Sequence, residues 1–186
     1  MPTHHVQIWA VNDGEKIHRE DLTNPNRHSN SVWNDQVVQI FGARNEVVAL
    51  QLIVQTSEYA IRDVTVEVSA LTHTTNKGIT IHNQRTHPED PNDYVGRRIE
   101  VFTEHYLYVS PELTTPPQWF YVASAPPLQQ SGWIPDALIP HDAHRGPGEQ
   151  PVHVQALTNQ GFWIDIYIPD ESAIQSGIYS GAITVS

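Results

Sequence analysis

The chain has no cysteine and about half as many basic as acidic residues, 10 Lys and Arg against 21 Asp and Glu in a length of 186. Without cysteine there is no disulfide, no thiol nucleophile and no thiolate ligand for zinc. A formal charge of −11 with no basic cluster argues against a nucleic-acid partner, because such binding rests on neutralising phosphates with Lys and Arg. Long apolar runs are also missing. The most hydrophobic stretch, residues 46–55 (EVVALQLIVQ), falls well short of the ~20 residues a membrane-spanning helix needs, so no membrane partner is expected. No segment repeats apolar residues at the helical period, and there is no internal repeat or low-complexity tract. The chain opens Met1-Pro2-Thr3 and passes at once to a strand-like segment, without a basic and then apolar leader.

What is present is alternation. In residues 162–168, Ile164, Ile166 and Ile168 fall on one face and Trp163, Asp165 and Tyr167 on the other. A period of two marks a strand with one face in a core. Pro169 ends it, because proline gives no amide to a ladder. A turn-rich passage follows, and residues 178–185 are expected to return as the partner strand. Earlier strands are expected at 6–11, closed by Asn12-Asp13-Gly14, at 36–41, at 46–55 as a central strand buried on both faces, around Val64, Val66 and Val68, at 78–82, at 98–109 and at 152–157. Residues 111–151 carry nine prolines and no sustained period. They read as one long, packed, proline-rich loop excursion. The fold class is therefore all-β: an immunoglobulin-like or jelly-roll-type antiparallel β-sandwich in a single module spanning 1–186.

Several constellations have the chemistry of a site. Trp119, Phe120, Tyr121 and Trp133 lie in the excursion. Aromatic faces stack on the C–H surfaces of sugars, and stiff prolines limit the entropy lost when such a surface binds. The same rings can instead pin the excursion to the sandwich. Trp163, Asp165 and Tyr167 form a second stripe, whose carboxylate can accept sugar hydroxyls. Carbohydrate contact is therefore expected at Trp119, Tyr121, Trp133, Trp163, Asp165 and Tyr167. Arg44, Glu46 and Gln51 suggest an internal polar network, since a buried charge needs a partner. His141, Asp142, His144 and His153 have ligand chemistry but no spacing that fixes a geometry, and Asp90 and Asp93 lack the pattern of a calcium loop. No metal, cofactor or catalytic residue is assigned.

Five segments together carry a resemblance: Trp9-Ala10-Val11-Asn12-Asp13-Gly14-Glu15-Lys16; Gly42-Ala43-Arg44-Asn45-Glu46 with Gln51; Glu104-His105-Tyr106; Ile134-Pro135-Asp136-Ala137-Leu138-Ile139-Pro140; and Trp163-Ile164-Asp165-Ile166-Tyr167-Ile168-Pro169 with Gly177-x-Tyr179-x-Gly181. In that order they resemble the N-terminal β-sandwich of bacterial proteins related to glycoside hydrolase family 123. The loop from Thr114 to Gly132 has no counterpart in that resemblance. In the family a following (β/α)-barrel carries catalysis with an adjacent Asp-Glu pair. Asp170-Glu171 is such a pair, but it falls where the resemblance places a structural turn, so both are expected to be solvated turn residues.

The resemblance implies a non-catalytic accessory module of a glycoside-hydrolase-like protein, secreted or periplasmic, with its signal peptide removed. Its partners would be a glycan or polysaccharide, or an adjacent catalytic barrel. Two alternatives stand beside it: a small stand-alone polysaccharide-active enzyme with its site in 111–151, and a purely structural module.

Overall fold

The computed structural model describes residues 6–84, 98–110, 131–141 and 150–186. Their regular structure is a 3-10 turn at Pro25–Arg27 and the strands β1 (Val6–Asn12), β2 (Glu46–Thr56), β3 (Ile61–Val64), β4 (Val66–Val68), β5 (Leu71–His73), β6 (Thr80–Ile81), β7 (Ile99–Val109), β8 (Gly132–Pro140), β9 (Val152–Val154), β10 (Asn159–Ile168), β11 (Tyr179–Ser180) and β12 (Ile183–Val185). Among the described residues there is no α-helix, and so none long and apolar enough to cross a membrane.

Five strands form one antiparallel sheet in the order β1-β2-β10-β7-β8. Against it lie three short antiparallel ladders, β11-β5-β6, β12-β4 and β3-β9. Backbone bonds outside the named strands join some of these. Thr65 and Ser186 exchange a pair, Ser69 N–H donates to Ala182, and Thr74 N–H donates to Ile178. The inner face of the five-stranded sheet supplies Leu50, Leu52 and Val54, Phe162, Ile164 and Ile166, and Ile99 and Val101. Facing them are Val64, Val66, Val68, Ile81, Val152 and Val154. Burying each such side chain contributes roughly 1.5–3 kcal/mol, which makes this layer interface the main source of stability. The architecture is a β-sandwich.

The structure departs from the sequence expectations at five places. Residues 178–185 do not pair with β10, whose neighbours are β2 and β7. The turn after Pro169 carries the chain across to the opposite layer, with Ile174 buried on the way, and β11 and β12 pair with β5 and β4. Residues 36–41 are not a strand. They make a single bridge, Trp33 to Val38, and Phe41 is 97% exposed. The excursion 111–151 is not loop throughout, because β8 lies within it and pairs along β7. The strand expected at 152–157 stops at Val154, and Leu157 turns the chain with a φ of 57°. Arg44, Glu46 and Gln51 form no common network. Arg44 donates to the Ile174 carbonyl at 2.6 Å, Glu46 accepts from the Ala43 amide, and the buried Gln51 amide bonds elsewhere.

One feature shapes the outer face of the large sheet. Residues 13–34, which hold the 3-10 turn and no named strand, fold back across it as a strap. Ile17 of the strap is fully buried, as are Trp9, Val11 and Ile53 on the outer face of the sheet. Three buried amide side chains of the sheet hold the strap's backbone. Gln51 donates to the carbonyls of Asn12 and Glu15, Gln55 to Leu22, and Asn159 to His18 and Asp21, all at 2.6–3.1 Å. Asn30 donates to the Ala10 carbonyl on the edge strand β1, which occupies part of an otherwise open sheet edge.

Candidate functional site

Side chains directly opposed across an antiparallel ladder share a face. The register therefore puts Gln51, Trp163 and Phe102 in one row of the outer face, Ala49, Asp165 and Glu100 in the next, and Val47 with Tyr167 beyond. Trp163, Asp165 and Tyr167 are each half-buried, so the expected stripe is real and reaches solvent. The Trp163 indole N–H donates to Asp165 Oδ1 at 2.7 Å. The Tyr167 hydroxyl donates to Asn45 Oδ1 at 3.0 Å. Both bonds fix ring orientation before any ligand arrives, and Asp165 retains acceptor capacity, since a carboxylate can accept several hydrogen bonds. Burial raises the Asp165 pKa above the ordinary carboxylate range. The Trp163 N–H pulls it down, and the Asp13 carboxylate adds to the rise.

Asn45 was not anticipated as part of this site. It sits in the left-handed region with a φ of 60°, a conformation asparagine tolerates better than most residues. Its amide donates to the Ile168 carbonyl at 2.8 Å, which holds its side chain at the end of β10 within reach of Tyr167.

Toward the other end of the same face the strap covers a polar group. Gln55 and Asn159 oppose each other, and one row on Trp9, Ile53 and Gly161 lie side by side, with Glu104 opposite Gly161 by continuation of the register. The Glu104 side chain leans over Gly161 so closely that a Cβ there would collide with its carboxylate. Glu104 is 3% exposed, and burial pushes its carboxyl up to about 7, with Lys16 drawing it the other way. Tyr106 is also buried, and its phenol pKa is raised first by burial and then by Glu104. The pattern of β7 hinted at this. A strand with Ile99, Val101 and Thr103 buried on one face and Glu100, Glu104 and Tyr106 buried on the other sets charge against environment, and such conflicts mark places where the fold supplies something extra. Gln55 and Asn159 gave no comparable signal, because only the register brings them there.

Beyond the strap stands Trp133, 36% exposed. It opposes Tyr108 with ring centroids 5.4 Å apart, and the Arg19 guanidinium lies 5.2 Å from its ring centre. Its carbonyl accepts the Arg19 amide at 3.2 Å. Six residues of β7 separate the Tyr108 row from the Phe102 row, or ~20 Å at strand rise. The structure thus gathers Trp163, Asp165 and Tyr167 and leaves Trp133 at the far end of the same face. Trp119 and Tyr121 lie outside the described residues, as do Asp90, Asp93, Asp142 and His144. His141 and His153 are exposed, and among the described residues no three of His, Cys, Asp or Glu converge. Asp170 and Glu171 are exposed turn residues, Glu171 paired with Arg98.

No protein-family model matches the chain, and no curated protein matches it. Solved structures do. One is a family 123 glycoside hydrolase from Clostridium perfringens, described for the hydrolysis of glycolipid glycans. The superposition has a TM-score of 0.60 at 12% sequence identity, and covers 98% of this chain and 24% of that one. At that identity the likeness is one of fold, and the chain spans about a quarter of that enzyme's length: what it matches is part of a glycoside hydrolase.

Proposed function

We propose that this protein is a non-catalytic accessory module of a glycoside-hydrolase-like protein, and that it binds a glycan on the outer face of its large sheet at Trp163, Asp165 and Tyr167. The observation that carries the reading is the half-exposed row itself: two rings and a carboxylate on one strand, each already held by a hydrogen bond. Sugar rings offer C–H faces for stacking and hydroxyls for the carboxylate. The likeness to part of a glycoside hydrolase supports the accessory role, and the proposal includes work outside the cytoplasm, where polysaccharides are met.

A second reading is favoured by the same coverage, about a quarter of a longer enzyme. On it, the row packs against a neighbouring catalytic barrel. Calorimetric titration with a panel of soluble polysaccharides and oligosaccharides separates the two. Glycan binding predicts a Kd between micromolar and millimolar, the range that one or two stacking rings and a few hydrogen bonds provide. Absence of heat with every glycan, together with tight association with a separately produced barrel domain, would favour packing. Turnover of any polymer by the purified chain would instead support the enzyme reading and its site in 111–151.

A further inference from the structure

Beneath the strap, four polar atoms of the sheet's outer face are buried without a hydrogen-bond partner among the described residues, Glu104 Oε2, Asn159 Oδ1, Gln55 Oε1 and Trp9 Nε1, and the buried Tyr106 hydroxyl beside them meets the Gly161 backbone amide only outside hydrogen-bond geometry. Native proteins leave few such atoms, and each calls for a bridging group. The two amides cannot rotate to relieve themselves. Their nitrogens are already committed to strap carbonyls, Gln55 to Leu22 and Asn159 to His18 and Asp21, so their oxygens are held pointing away from those bonds. The Glu104 carboxylate lies against Gly161, the one residue of that row of β10 that leaves room for it. The cluster is rich in acceptors and carries one carboxylate. Lys16, itself exposed, attracts that carboxylate only from beyond bonding distance. A buried carboxylate in such a setting needs a cation.

We propose that Glu104, Asn159 and Gln55, with the Tyr106 hydroxyl, bind a hard oxygen-seeking cation, Ca2+ or Na+. Carboxylate and side-chain amide oxygens are the ligands such ions take, at ~2.3–2.6 Å for calcium. Two oxygens on one ion stand farther apart than hydrogen-bonded atoms do. That spacing suits a set of inward-facing groups that do not bond one another. Trp9 cannot ligate, and its N–H would donate to a water on the ion. The ion would tie β2, β7 and β10 together under the strap that their amides already hold. This site is separate from the proposed glycan row and does not depend on it.

The test uses the full chain after treatment with chelator and dialysis into choline chloride. Melting temperature is followed against CaCl2 in one arm and against NaCl replacing choline at constant ionic strength in the other. Terbium, a luminescent calcium substitute, is added in a third arm with excitation of tryptophan. The proposal expects one of the two ions to raise the melting temperature of the wild-type chain by about 5–10 °C at a hundredfold excess over its Kd. It expects that rise to vanish in Glu104→Gln, and sensitised terbium emission to fall at least fivefold in the same variant. Tyr106→Phe should weaken the response without abolishing it. Which ion acts identifies the source. A calcium or sodium response of equal size in Glu104→Gln would place the ion on the acidic surface and overturn the proposal. So would no response to either ion, which would leave water alone bridging the cluster.

Discussion

At the residue scale, Glu104 is where the sequence is least comfortable with its fold. With no cation beside it, this carboxyl on a strand buried on both faces keeps its proton to higher pH than usual, its pKa raised by burial from 4.5 to about 7. The sign of the consequence follows from linkage. The folded state binds the proton more tightly than the unfolded chain does, so this group's contribution is fully present below the unfolded value. It is lost as pH climbs through the folded one. The shift corresponds to about 3 kcal/mol. With chelator present, the wild-type melting temperature should fall relative to that of Glu104→Gln by roughly 5–10 °C between pH 4.5 and 7.5. Parallel curves for the two proteins would mean that the carboxyl is not buried as described. Ile166 makes the converse case. It is 7% exposed on the inner face between the layers, so Ile166→Asp places an unpaired charge in the core. A loss of several kcal/mol is expected, comparable to the stability of a whole domain. An unchanged melting temperature would reverse the faces of β10.

At the scale of elements, the long alternating strands were legible and the short or unusual ones were not. β1, β2, β7 and β10 lie within a few residues of their expected bounds, because β7 and β10 alternate over many residues and β1 and β2 are apolar runs bounded by turn or polar residues. β8 was hidden by Pro135 and Pro140. It is an edge strand, where proline is tolerated, and Pro135 falls where the ladder with β7 changes register between His105 and Tyr106. Residues 36–41 are apolar enough for a strand but make a single bridge, Trp33 to Val38. Asn34 Oδ1 accepts the amides of Gln36 and Val37 instead, and a local side-chain bond of this kind competes with a ladder. The strap carries no periodicity at all. Its place is dictated by amides from strands distant in sequence, which is why reading the chain locally finds only a loop. Asn159→Ala removes two of those bonds and should cost about 2–3 kcal/mol. Hydrogen exchange should then accelerate across residues 15–22 while the β2 amides near Ile53 stay protected. Unchanged exchange in the strap would mean that other contacts hold it.

At the scale of the molecule, two layers bury the inner face of the large sheet, and the strap divides its outer face into a covered polar half and an open half with Trp163, Asp165 and Tyr167. The stripe on β10 was visible in the sequence because one strand holds all of it. That Trp133 stands on the same face, ~20 Å away along the strands, depended on β8 joining the sheet beside β7, a pairing that no local pattern in residues 132–140 announces. This separation makes the central claim sharply testable. The most direct measurement is isothermal titration of the best-binding oligosaccharide against three proteins, wild type, Trp163→Ala and Trp133→Ala, with a melting scan on each to confirm folding. Tenfold or greater weakening in Trp163→Ala, with the wild-type Kd kept in Trp133→Ala, is the predicted result. Affinity that survives the loss of Trp163 in a folded protein would contradict the account.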